Sequence, residues 1–229
     1  MIDITDWSYV FKRNYYTKQI VETNLVYTPL INPEGTVYCM NFDHKNQYQN
    51  EMVSSFLPSR PYYTKETVEF FFNRELHYIE KFKNYSWAPK YIDIDVKNQR
   101  IFFEFNKKSC NWVVADNLNL DENFPNWEDQ LVNIVSDIIN EGCYKLTIYP
   151  HCFFYDKQLK MFDFYACVDK NDSLIPLEKM MGIMGVASPE RFEKALSGNH
   201  VDTKELFKQA LNNYSCWPTD RLKEFISII

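Results

Sequence analysis

The sequence predicts an α+β chain with two lobes, the first rich in β-strands and the second small and helical. Three observations predict it. Two aromatic and β-branched runs flank a strong turn sequence; helical periodicity replaces them from residue 64; and a polar, Asn-rich stretch separates that half from a second set of helical patterns. On this reading residues 1–105 form a β-rich N-terminal lobe that includes a helix at 64–83. Residues 106–126 form a linker or hinge, and 127–229 form a helical C-terminal lobe with a hairpin at 144–164.

The elements follow in order. The runs Gln19 to Leu30 and Thr36 to Phe42 are joined by Asn32-Pro33-Glu34-Gly35, and the Pro and Gly make this a turn, so the pair reads as a hairpin. From Thr64 to Lys83, Val68, Phe72, Leu76, Ile79 and Phe82 recur at three and four residues, the spacing of one helix face. Tyr91 to Val96 alternates, with Ile92, Ile94 and Val96 on one face and Asp93 and Asp95 on the wet one. After the turn 97–100, Ile101 to Phe105 completes a second hairpin. A helix is predicted from Trp127 to Asn140, capped by Asn126 and followed by Gly142, with Leu131, Ile134, Val135, Ile138 and Ile139 on its apolar face. Residues 144–164 read as a strand, a break at Pro150, a strand at 152–155, a turn and a strand at 159–164. Beyond them the pattern is helical, with starts at Ser188-Pro189-Glu190, at the capping box Asp202 to Glu205 and after Pro218.

Composition removes several function classes. Glycine occurs five times in 229 residues, and neither GxGxxG nor GxxxxGK[ST] can be written, which excludes the dinucleotide fingerprint and the P-loop. Net charge is −6, so nothing in the overall electrostatics favours nucleic acid or an anionic membrane as partner. No apolar run reaches the ~18 residues of a membrane span, and the first residues carry neither the basic nor the apolar region of a secretory signal, so a cytoplasmic protein is expected. The six cysteines form no CxxC and the four histidines no HxxxH, so zinc is not expected and the cysteines read as reduced small hydrophobes. Nineteen Lys against six Arg, with twenty-one Asn and six Ala, fit the coding bias of an AT-rich genome such as that of a phage or another virus.

Specific residues then carry a resemblance. Met161-Phe162-Asp163-Phe164-Tyr165 is similar to the DFG segment of protein kinases, Arg74-Glu75-Leu76 lies where their αC helix would be, and Ile101 to Phe105 resembles the strand leading into their hinge. Over roughly residues 20–190 the order of elements resembles the protein kinase-like fold, which includes the aminoglycoside phosphotransferases. The resemblance implies ATP and Mg²⁺ as cofactors, with Asp163 holding the metal, Glu75 pairing with a strand lysine, and Glu104 and Phe105 meeting the adenine.

The departures are as specific as the matches. Anchored on Pro150, the catalytic-loop pattern puts Lys145 at its His, Thr147 at its catalytic Asp and Cys152 at its metal-binding Asn. The strand lysine is missing: its slot falls at Met40 or Asn41, or near Arg60. Glu34-Gly35-Thr36-Val37-Tyr38 is similar to the end of a glycine-rich loop, with one glycine where three are expected, and Ala187-Ser188-Pro189-Glu190 is similar to the APE segment. Thr147 cannot take a proton as a carboxylate does, and Cys152 is a poor ligand for Mg²⁺, so neither supplies what phosphoryl transfer needs. A catalytically impaired pseudokinase acting by binding another protein, with or without a nucleotide, is therefore the expected function. A phosphotransferase with relocated Lys45, Arg60 or Asp156 is one alternative, and a viral structural or host-interaction protein without a nucleotide site is another. A metal-dependent nuclease built on Asp93, Asp95, Glu104 and Lys107 is a weaker match, because the spacing is Glu-x-x-Lys and no Pro-Asp precedes it.

Overall fold

The computed structural model describes residues 2–9, 12–13, 20–21, 27–42, 65–106, 111–112, 125–145, 152–170, 196–197, 200–201 and 204. Within them the chain is α+β. Strands β1 (Ser8–Tyr9), β4 (Thr28–Ile31), β5 (Val37–Asn41), β6 (Tyr91–Asp95) and β7 (Arg100–Glu104) form one antiparallel sheet in the order β1-β4-β5-β7-β6. The short pair β2 (Lys12–Arg13) and β3 (Ile20–Val21) stands apart from it, so the strand expected over Gln19 to Leu30 is two pieces, with 22–26 outside the described residues.

The β4–β5 hairpin forms as the turn sequence predicts, with Leu30 opposite Cys39. Gly35 sits at φ 71°, which its missing Cβ permits. Asn32 closes the turn: its Oδ1 accepts the N–H groups of Thr36 at 2.7 Å and Val37 at 2.8 Å, and its carbonyl accepts Gly35 N–H at 2.9 Å.

Helix α1 (Lys65–Phe82) matches the predicted span, but its buried stripe is Phe71, Phe72, Glu75, Tyr78, Ile79 and Phe82. Leu76 is only partly buried, so the inward face is rotated towards Glu75 and an ionisable residue lies in the middle of the apolar stripe. Strand β6 also departs from expectation. A bulge between Tyr91 and Asp93 breaks its alternation and leaves Ile92 48% exposed on the sheet's edge, while Val96, 66% exposed, lies in the turn beyond the strand. Asp95 closes the following turn by accepting Asn98 N–H at 3.1 Å and Asn98 Nδ2 at 2.7 Å.

Within the expected linker, β8 (Asn111–Trp112) pairs with β10 (Phe153–Asp156), which also pairs with β11 (Gln158–Met161) across Lys157 at φ 60°. Helix α2 (Trp127–Asn140) buries Trp127, Leu131, Ile134, Val135 and Ile138. Asn126 does not cap it with its side chain, because it adopts the left-handed conformation at φ 57°. Gln130 does the joining there instead, donating Nε2 to Pro125 O at 2.9 Å and accepting Leu159 N–H at 2.6 Å. Gly142, at φ 75°, ends the helix as predicted and donates to Ile139 O.

Strand β9 (Cys143–Lys145) pairs antiparallel with β12 (Cys167–Asp169). Between β11 and β12 the chain makes a 3₁₀ turn at Phe164–Ala166, so the predicted strand 159–164 stops at Met161. Far along the chain, β13 (Leu196–Ser197) pairs with β14 (His200–Val201), a strand pair where only helix was expected. The helix starts at 188–190 and after Pro218 lie outside the described residues, and Lys204 is helical.

One continuous cluster of buried side chains joins the sheet, α1, α2 and the β10–β11 hairpin. Phe162 is its junction: its ring stacks on Phe154 at 4.8 Å and meets Tyr38 at 5.0 Å and Phe103 at 5.2 Å. A smaller cluster on the other side of the sheet packs Leu30, Cys39 and Phe102 under Ile2, Ile4 and Trp7. No helix among the described residues is long and apolar enough to cross a membrane. Truncating Phe162 to Ala removes the ring that ties sheet to hairpin. The expected cost is about 3–5 kcal/mol in urea unfolding, against under about 1.5 kcal/mol for a volume-conserving change such as Met161→Leu.

Candidate functional site

The residues that carry the resemblance meet at one place, and it is buried. Glu75, Lys145 and Asp163 are 0%, 1% and 0% exposed. Each comes from a different element: Glu75 from the inward stripe of α1, Lys145 from the end of β9, Asp163 from the bend after β11.

Asp163 adopts φ 66°, a conformation that Asp tolerates better than most residues. Buried hydrogen bonds hold it there. The Tyr27 hydroxyl donates to Oδ1 at 2.6 Å, and Lys145 Nζ donates to the Asp163 main-chain carbonyl at 2.6 Å. Tyr27 Oη also lies 3.1 Å from Tyr38 Oη, so two buried phenols form a chain that ends on the carboxylate. Burial first, and then the Asp163 charge, push both phenols well above their ordinary pKa, which keeps Tyr27 protonated and able to donate.

Glu75 and its neighbour Arg74 bracket Tyr165. Glu75 Oε2 accepts Tyr165 N–H at 2.6 Å, while Arg74 Nε donates to Tyr165 O at 3.1 Å and Arg74 Nη2 to Cys167 O. Both main-chain polar groups of Tyr165 are therefore satisfied by adjacent side chains of one helix turn. Burial pushes the Glu75 carboxyl up to about 8, with the Asp163 charge adding to the rise and the Tyr165 N–H and the Lys145 ammonium opposing it. Glu75 Oε1 is buried with no hydrogen-bond partner among the described residues, which further disfavours the charged form.

The remaining candidates are not gathered with these three. Glu104 is exposed and forms an ion pair with Lys90 at 2.6 Å, while its N–H donates to Lys90 O at 2.8 Å. Phe105 N–H donates to Thr36 O at 2.9 Å, and its ring packs between Tyr38 and Phe154. Met40 and Asn41, the lysine slot on β5, are buried, and Asn41 Oδ1 accepts Arg100 Nε at 3.3 Å. Cys152 is buried, and its carbonyl accepts Phe162 N–H at 2.6 Å. Thr147, His151, Lys45, Arg60 and the 187–190 segment lie outside the described residues, and Asp156 stands in β10 opposite Gln158. The nuclease arrangement has no geometric basis in the residues described, since Glu104 is paired with Lys90 and Asp95 closes a turn; Lys107 lies outside them.

The donor set does not fit a magnesium ion. Mg²⁺ takes near-octahedral oxygen ligands and usually keeps several waters. Here Asp163 is wholly buried, Oδ1 already accepts a phenolic proton, and among the described residues no three His, Cys, Asp or Glu side chains are placed to share an ion. Cys39, Cys143, Cys152 and Cys167 are free and buried.

Sequence reasoning did not find Tyr27, Tyr38 or the part played by Arg74. One signal was present: Glu75 is flanked by Arg74 and falls in step with Phe71, Phe72, Tyr78, Ile79 and Phe82, so an acid occupies a core position.

Glu75 carries a pH prediction. Its folded value, about 8, lies above the ordinary 4.5, so the folded state holds the proton more tightly than the unfolded one. The contribution is fully present below about pH 4.5 and is lost as pH rises towards about 8. Glu75→Gln keeps an acceptor for Tyr165 N–H and cannot ionise. Its stability relative to the wild type is therefore expected to rise across that window, by at most roughly 1.4 kcal/mol per pH unit, and to level off above it. Urea unfolding of both proteins from pH 5 to 9 checks this; a difference that stays constant with pH contradicts it.

Set beside known proteins, the chain matches no family model and no curated protein, and the functional reading rests on the geometry above.

Proposed function

We propose that this chain is a kinase-like binding protein, a pseudokinase that works by holding another polypeptide and does not carry out ordinary phosphoryl transfer. One observation carries the reading. The groups that a kinase-like site would offer to ATP and Mg²⁺ each make a hydrogen bond within the chain.

The amides of Gly35, Thr36 and Val37, at the position of the phosphate-wrapping loop, all donate to Asn32. The amides of Glu104 and Phe105, at the position of the adenine-binding hinge, donate to Lys90 and Thr36. Asp163 accepts from Tyr27, and Glu75 accepts from Tyr165 in place of a strand lysine. Phosphoryl transfer depends on positioning and on charge neutralisation, and each would require several of these bonds to break first. The order of elements supports the kinase-like part of the reading, since a long helix is inserted between β5 and β6 of one antiparallel sheet and packs Glu75 beside Asp163.

Incubation with γ-labelled ATP and Mg²⁺ or Mn²⁺ is expected to give no transfer to the protein, to a generic protein substrate or to water above that of an Asp163→Asn variant. Turnover that falls by about a hundredfold or more in Asp163→Asn, the size expected for loss of a group that stabilises the transition state, would contradict the proposal.

A further inference from the structure

The face of the sheet opposite the main core is filled by a short piece of the chain itself. Leu30 on β4, Cys39 on β5 and Phe102 on β7 stand opposite one another across three strands, and so form one apolar row. Ile2, Ile4 and Trp7 cover that row, with the Trp7 ring meeting Phe102 edge-on at 5.7 Å. Asp3, Thr5 and Asp6 between them are exposed, so the segment is apolar towards the sheet and polar outward. Among the described residues, the hydrogen bonds of this segment close within it. Asp3 Oδ1 accepts Thr5 N–H at 3.0 Å and the Thr5 hydroxyl at 2.6 Å, and Trp7 N–H donates to Ile4 O at 3.1 Å. Main-chain pairing with the sheet starts beyond Trp7, with Ser8 opposite Ile31 and Tyr9 opposite Leu30. Lifting residues 2–7 therefore breaks apolar contacts and strands few polar groups. A satellite cluster of three buried side chains under three half-buried ones opens at a lower free energy than a core that joins sheet, helices and hairpin.

We propose that the row Leu30, Cys39 and Phe102 is a peptide-binding face held closed by the chain's own residues 2–7. The partner polypeptide docks there by presenting two aliphatic side chains and an aromatic one at the spacing of Ile2, Ile4 and Trp7. The inference rests on the reading of the chain as a binding protein and names the surface that does the binding; it involves neither Asp163 nor a nucleotide. Cover and partner compete for the same three side chains, so residues 2–7 are an autoinhibitory contact, and the fraction of molecules with the cover lifted sets the partner's apparent affinity.

Cys39 reports on the cover directly. Its thiol is wholly buried beneath the segment and burial pushes its pKa well above the ordinary value, so an alkylating reagent meets a reactive thiolate there only when the cover lifts. The full chain is treated with iodoacetamide under native conditions, and alkylation of each cysteine is followed by peptide mass spectrometry. Cys39 is expected to react at least about tenfold faster than Cys152 and Cys167, which lie in the main core. Trp7→Ala is expected to speed Cys39 by about a further tenfold with Cys152 and Cys167 unchanged, and Ile4→Ala to do so to a smaller extent. In Trp7→Ala, a synthetic peptide of residues 2–9 at about 1 mM, the order of concentration that a short linker supplies within one chain, is expected to slow Cys39 at least about twofold. The same peptide carrying Ala in place of Trp7 is expected to have no effect. Alkylation of Cys39 at the rate of Cys152 and Cys167 in wild type overturns the proposal, as does equal acceleration of all three in both variants, or a Cys39 rate in Trp7→Ala that the peptide leaves unchanged. Thiol exposure is read without phosphate transfer, so failure here is distinct from failure of the proposed function.

Discussion

Two acids and one base enclosed in an aromatic core are the constraint on which the rest of this structure depends. Each ionised group buried without compensation costs several kcal/mol, so Glu75, Asp163 and Lys145 cannot all keep their charges without a net negative charge inside the protein. Burial and the Asp163 charge place the extra proton on Glu75, whose carboxyl is pushed up to about 8. A protonated Glu75 is the form a low-dielectric interior favours.

That cluster also explains how the helix, the sheet and the later hairpin are held in one core. Phe162, Asp163, Phe164 and Tyr165 are all buried, and each meets a different neighbour. Phe162 packs on the sheet, Phe164 on Phe82 and Trp87 at 5.6 and 6.2 Å, and Tyr165 on Phe71 at 5.5 Å. Apolar packing alone would leave the main-chain groups of this irregular segment unsatisfied, and the polar side chains of α1 and β9 supply their partners. Lys81 adds a tie at the far end of α1, donating to Asp169 at 3.1 Å. The same residues that resemble a catalytic centre thus serve as joints between elements.

Much of the local structure was legible in the sequence. Helix α1 was visible in its three- and four-residue spacing, the β4–β5 hairpin in Asn32-Pro33-Glu34-Gly35, and the end of α2 in Gly142. What failed depended on tertiary context. The bulge in β6 exposes Ile92 although alternation assigned it to the inner face, and Asn126 takes a left-handed conformation that no capping pattern reveals. At the site, Glu75 and Asp163 were found through residue motifs, yet Tyr27 lies 136 residues from Asp163 in the chain, and no periodicity links them. Lys145 was placed only by counting back from Pro150; its bond to the Asp163 carbonyl depends on the pairing of β9 with β12, which brings Lys145 opposite Cys167.

The central claim, that the polar side chains of Glu75 and Arg74 on α1 hold the 162–167 segment in the core, is tested most directly by amide hydrogen exchange at Tyr165. Its N–H is held by Glu75 in a fully buried environment, so it should exchange only with global unfolding, as slowly as the amides of β5 and β7. Exchange of Tyr165 N–H as fast as that of an exposed turn amide such as Lys97 would contradict the account.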